Sequence, residues 1–101
     1  MFTSTQNKGF RMKFENNFSI SVQWGSGNYC SNRDKKINGK SENFIESFTA
    51  EVAIFFDDKL LPITNNEVIG WLIADDVANI IEIVSKAHNK KELVESLQKI
   101  W

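Results

Sequence analysis

Three observations predict an α+β domain, an antiparallel β-meander of four to five strands followed by one or two C-terminal helices packed on one face. Apolar and polar residues alternate between residues 8 and 24, further strand-like runs lie between residues 48 and 73, and from residue 75 apolar residues recur at helical spacing. Strands first and helices last is the α+β order, with an amphipathic helix burying its stripe against a sheet.

Composition sets the frame. The chain has 101 residues, of which 42% are hydrophobic, with eight Phe and three Trp. That suits one domain with one modest core, residues 1–101, and excludes a disordered chain. No apolar run approaches the ~18–20 residues needed to span a bilayer, and the N-terminus lacks a signal peptide's apolar core, so no membrane partner is expected and the expected location is cytoplasmic. One Cys and one His leave neither an internal disulfide nor a zinc ligand set, and no cofactor is expected. The net charge of −1 hides an asymmetry. Residues 1–40 carry seven basic and two acidic side chains, whereas residues 41–101 carry five and eleven. Either the basic end forms a polar binding surface or the two halves neutralise each other across the fold.

Phe10, Met12 and Phe14 alternate with Arg11 and Lys13, and Phe18, Ile20, Val22 and Trp24 with Ser19, Ser21 and Gln23. A two-residue turn would pair Phe14 with Ser19 and mix the faces. A loop of Glu15, Asn16 and Asn17 pairs Phe14 with Phe18, Met12 with Ile20 and Phe10 with Val22, so that register is expected. It sets Lys8 opposite Trp24 and brings the segment Asn7 to Gly9 to the border of a glycine-rich stretch. Arg11, Lys13, Ser19, Ser21 and Gln23 then share the polar face.

Residues 25–47 show little periodicity, which is long for a connection in a small domain. The stretch from Asp34 to Lys40 reads as a solvated tip. Phe48–Phe56 is the next strand, with Ala50, Val52, Ile54 and Phe56 inward, and Asp57, Asp58 and Lys59 turn it back. Leu60–Ile63 holds the only proline, which suits an edge because Pro62 cannot donate to a ladder. After Asn65 and Asn66, Val68–Ile73 is apolar on both faces except at Gly70, which marks a bulge or a close backbone approach. Asp75 is the expected N-cap of a helix burying Val77, Ile80, Ile81 and Val84 and ending near His88. Asn89 and Glu92 resemble a capping box, opening a second helix with Leu93, Leu97, Ile100 and Trp101 on its stripe.

The stretch W-G-S-G-N-Y-C-S-N-R, Trp24 to Arg33, carries the functional signal. Trp24 and Tyr29 offer flat rings, Asn28 and Asn32 offer donors and acceptors, and Arg33 presents a guanidinium fork suited to phosphate. Stacking on a flat ring contributes ~1–3 kcal/mol per base. An anionic nucleotide-like ligand is therefore expected, with Trp24 or Tyr29 stacking on a base. The backbone of Gly25, Gly27 and Asn28, as an anion nest, and the Asn32 side chain would fix orientation, and Arg33 and Lys8 would neutralise phosphate. Arg11 and Gln23 would join from the adjoining face. The other reading is that the rings close the end of the core and the asparagines cap turns.

No catalytic motif accompanies the stretch. G-S-G lacks the spacing of a P-loop or a dinucleotide fold. Cys30 would need a base beside it, and His88 is better explained at a helix C-terminus, so a buried loop cysteine and no enzymatic activity are expected. Asp57–Asp58 and Asp75–Asp76 fit a turn and a helix start. General nucleic-acid binding is not expected of a chain with negative charge and no basic helix.

The motifs Q-N-K-G-F at 6–10, S-V-Q-W-G-S-G-N-Y-C-S-N-R at 21–33 and A-E-V-A-I at 50–54, with a closing helix, resemble small uncharacterised accessory proteins encoded by phages and prophages. The resemblance implies a one-domain protein acting on host defence. Some phage proteins of that size sequester cyclic or ADP-ribose-derived nucleotide signals, and others block a host defence protein by contact. Expected partners are thus the small anionic ligand or a host defence protein, with a homo-oligomer as the expected assembly.

Overall fold

The alternation between residues 8 and 24 folds into the hairpin that its apolar pattern demands. The computed structural model describes residues 1–5, 8–34, 46–64 and 66–100. Within it β1 (Phe2–Ser4) pairs antiparallel with β2 (Gly9–Lys13), and β2 with β3 (Phe18–Gln23). Phe10 faces Val22 and Met12 faces Ile20. The Phe14 amide donates to the Phe18 carbonyl at 2.9 Å, and that of Trp24 to the Lys8 carbonyl at 2.8 Å, so the three-residue loop is the one adopted. Asn17 supplies its left-handed residue, with φ of 70°. The strand β1 has no counterpart in the sequence reading, because F-T-S is too short to show a period.

The central strand is β4 (Ala50–Phe56), which runs beside the whole of β3. Its other edge is shared: β5 (Lys59–Leu61) pairs with Ile54–Phe56, and β6 (Ile69–Leu72) pairs nearer the start. Ala50 faces Leu72 and Val52 faces Ile69, so Gly70 and Trp71 together oppose Glu51 in a bulge. Pro62 lies just beyond β5, at the sheet's margin.

Two helices cover one face. In α1 (Ala74–Lys86) Val77, Ile80 and Val84 are buried against Phe18, Ile20, Val22, Val52 and Ile54. Burying side chains of this size contributes about 1.5–3 kcal/mol each. The N-cap is Ile73, without a side-chain bond, rather than Asp75; Asp75 and Asp76 fall in the first turn, where carboxylates favour the helix dipole instead. In α2 (Lys90–Gln98) Leu93 and Leu97 are buried and Asn89 accepts from the Glu92 amide at 2.8 Å. The Glu92 carboxylate turns to His88, 3.0 Å away. Asn16 joins the two layers: its Nδ2 donates to the carbonyls of Val84 and Ala87 at 2.9 Å each, and its Oδ1 accepts from the Phe18 amide. The expected roles of Asn7, Asn65, residues 35–40 and Trp101 lie outside the described residues. Among the described residues no helix is long and apolar enough to cross a membrane.

Candidate functional site

The stretch after β3 is organised by two acceptors. The Glu51 carboxylate, on the β4 face away from the helices, takes the Tyr29 amide at 2.7 Å and Asn28 Nδ2 at 3.2 Å. Thr49 Oγ1 takes the Ser31 amide at 2.8 Å. Further along, Asn28 Oδ1 accepts from the Gly25 amide, and buried Asn32 donates to the carbonyls of Trp24 and Glu46 at 2.7 and 3.1 Å. The amides of Gly27, Asn28, Cys30 and Arg33 bond to carbonyls within the same stretch. The N–H groups of an anion nest are therefore engaged internally, which alters the expected part of Gly25, Gly27, Asn28 and Asn32. They brace the loop. Gly27 holds φ of 83°, which fits its turn. Cys30 is fully buried with Sγ 3.5 Å from the Gly25 carbonyl oxygen.

The two rings part company. Trp24 continues the inward face of β3, packs edge-on to Phe10 at 6.2 Å and borders the core under α1. Tyr29 lies on the other side, with its amide on Glu51 and its Cβ against Gly70, where an added Cβ would sit 2.5 Å away. The structure thus does not bring them to one ligand. Lys8 lies beside Trp24 as expected, its stem over Gly25. Arg33 is exposed, its Cζ 4.5 Å from the Tyr29 ring centre, with no carboxylate partner among the described residues. Gln23 is buried, its Nε2 donating to Thr5 and Ser21 at 3.0 Å each. Arg11 donates to fully buried Ser19 at 3.0 Å and lies 4.1 Å above the Phe55 ring.

What the bracing produces is at the end of the sheet. The Tyr29 carbonyl accepts from the Trp71 amide at 2.8 Å and holds Trp71 at φ of 59°, a value rarely adopted by a bulky residue and costing about 1–3 kcal/mol. Trp71 is 56% exposed and its neighbour Ile73 41%. Phe48, two residues before the Ala50–Leu72 pair, is 81% exposed. A groove of about 340 Å³ opens at the same end, walled by Val22, Trp24 and Leu72 from the sheet and Val77, Ala78 and Ile81 from α1, with Phe48 and Glu46 also lining it. No cation lines it among the described residues.

Glu51, Phe48 and Trp71 were not singled out from sequence. Glu51 reads as one more polar residue of an alternating strand, and Trp71 sits in an apolar run whose bulge only Gly70 betrays. No family model matches the chain, and comparison with curated proteins and with solved structures gives no significant match.

Proposed function

We propose that the protein is a non-enzymatic binding module that docks onto another protein through the aromatic end of its sheet. The observation that carries this reading is the pair of exposed aromatics at this end of the sheet: Phe48, which lines the Trp24-walled groove, and Trp71, held exposed in a strained backbone next in the chain to Leu72, which also lines it. Large exposed aromatics at the mouth of an apolar groove are the usual anchors of protein interfaces. Glu46 at the groove and Asp75 and Asp76 in the adjoining helix turn favour a partner whose apolar anchor is flanked by basic side chains. The buried Cys30 and the His88–Glu92 pair support the non-enzymatic part. The resemblance to phage-encoded accessory proteins makes a host defence protein the first partner to test. Tagged wild-type protein is expected to retain one host protein at fixed stoichiometry, and Arg33→Ala is expected to retain it equally. A wild-type preparation that carries no stoichiometric partner contradicts the reading.

A second reading, capture of an anionic nucleotide-derived signal, is favoured by one observation: the Arg33 guanidinium is exposed over Tyr29 with no carboxylate partner among the described residues. Calorimetry with cyclic dinucleotides and ADP-ribose derivatives tests it. Micromolar binding abolished by Arg33→Ala supports it, and no heat from any of them at micromolar protein removes it.

A further inference from the structure

On the sheet face opposite the helices, Thr3, Arg11, Lys13 and Asp58, with Met1, line a depression of about 310 Å³. Arg11 is fixed from below without help from Asp58, by the bond to buried Ser19 and by the Phe55 ring. Asp58 reaches over from the turn between β4 and β5 and is the only carboxylate lining the depression among the described residues. It is shared between two cations at 3.4 Å from Arg11 and 3.3 Å from Lys13. Both contacts are longer than the ~2.7–2.9 Å of a good charge-assisted bond, so one flat carboxylate does not close the gap between fork and ammonium. The Asp58 side chain is 65% exposed, a setting in which such pairs contribute little.

From this geometry we infer that the depression is a site for a phosphoryl dianion, which takes the Asp58 carboxylate's place between Arg11 and Lys13. A tetrahedral oxyanion offers oxygens in three directions at once: to the guanidinium fork, to the Lys13 ammonium and to the Thr3 hydroxyl. Asp58 acts as an internal competitor, leaving when the anion arrives. These residues are distinct from the aromatic end, so this site and the docking reading stand or fall separately.

Inorganic phosphate, titrated at low salt and followed by ³¹P nuclear magnetic resonance or calorimetry, is the probe. Asp58→Asn keeps the size of the side chain, and Asn tolerates the left-handed turn, where φ is 63°. It is expected to bind phosphate at least about fivefold more tightly than wild type, since the competing charge is gone. Lys13→Gln and Arg11→Lys, each checked for an unchanged melt, are expected to weaken binding about tenfold, Arg11→Lys because it keeps the charge but loses the fork. A nucleoside monophosphate run in parallel separates sources: equal affinity assigns the site to the phosphoryl group alone, and tighter binding extends it to a nucleotide. No saturable binding by wild type, no gain in Asp58→Asn, or binding that survives Lys13→Gln and Arg11→Lys as an adventitious ion only, overturns the inference.

Discussion

The two faces of the sheet are built on different principles. Under the helices, Phe18, Ile20, Val22, Val52 and Ile54 meet Ile80, Val84, Leu93 and Leu97, and cohesion comes from apolar area removed from water. On the other face directed bonds join Arg11 to Ser19, Gln23 to Ser21 and Thr5, and Glu51 to Asn28 and the loop. The first is cooperative and tolerant of small shifts; the second depends on single atoms. Damage to the helix-side core should therefore unfold the protein, whereas damage to the polar face should free the loop and leave the fold standing.

Leu93→Ala and Ile80→Ala, at fully buried positions, are expected to lose about 2–5 kcal/mol each in urea unfolding, the largest effects anywhere in the chain. Gly70→Ala forces a Cβ against Tyr29 and is expected to cost about 1–3 kcal/mol, reported as a lower melting temperature with the 25–33 amides exchanging faster. Glu51→Gln leaves a weaker acceptor for the Tyr29 amide, and hydrogen exchange should quicken across residues 28–31 while α1 amides keep their protection. A uniform loss of protection there would mean that the two faces are not separate. Asn16→Ala removes the side-chain donor to the Ala87 carbonyl, one of two donors to that of Val84, and the acceptor of the Phe18 amide, and should cost about 1 kcal/mol, felt first as fraying at the end of α1. Glu82 is the smallest case. Its bond and charge contact with Lys86 hold its carboxyl below the usual carboxylate range, so any stabilisation exists above the ordinary carboxylate pKa and fades as pH falls through the lowered one. Being fully exposed, it should leave the melting temperature of Glu82→Gln unchanged.

The contrast also explains what could be read from sequence. Helix-side residues repeat at intervals of two or near 3.6, so the strands from β2 onward, the hairpin register down to Phe10 opposite Val22, and Val77, Ile80, Val84, Leu93 and Leu97 on the helix stripes were legible, while Ile81 is only half-buried and Ile100, beyond α2, is exposed. Asn16 and Glu51 carry no such signal. Each acts on groups 68 and 22 residues away, through bonds that depend on where the chain returns rather than on any local pattern. The loop from Trp24 to Arg33 was legible as special, by its glycines, rings and amides. Whether those groups point outward or inward was not, because a donor that braces a turn and one that awaits a ligand are the same residue type. The amides of Asn28 and Asn32 face inward. Gly70 was legible as a bulge or close approach, and it is both.

Central to this account is the division between a loop that braces and an aromatic end that binds. The direct test is a titration of the reconstituted partner protein against wild type, Trp71→Ala and Arg33→Ala, with circular dichroism confirming that each is folded. Trp71→Ala is expected to weaken binding by at least about tenfold, the scale of an aromatic anchor, and Arg33→Ala by less than about twofold. Binding indifferent to Trp71 and lost with Arg33 would contradict it.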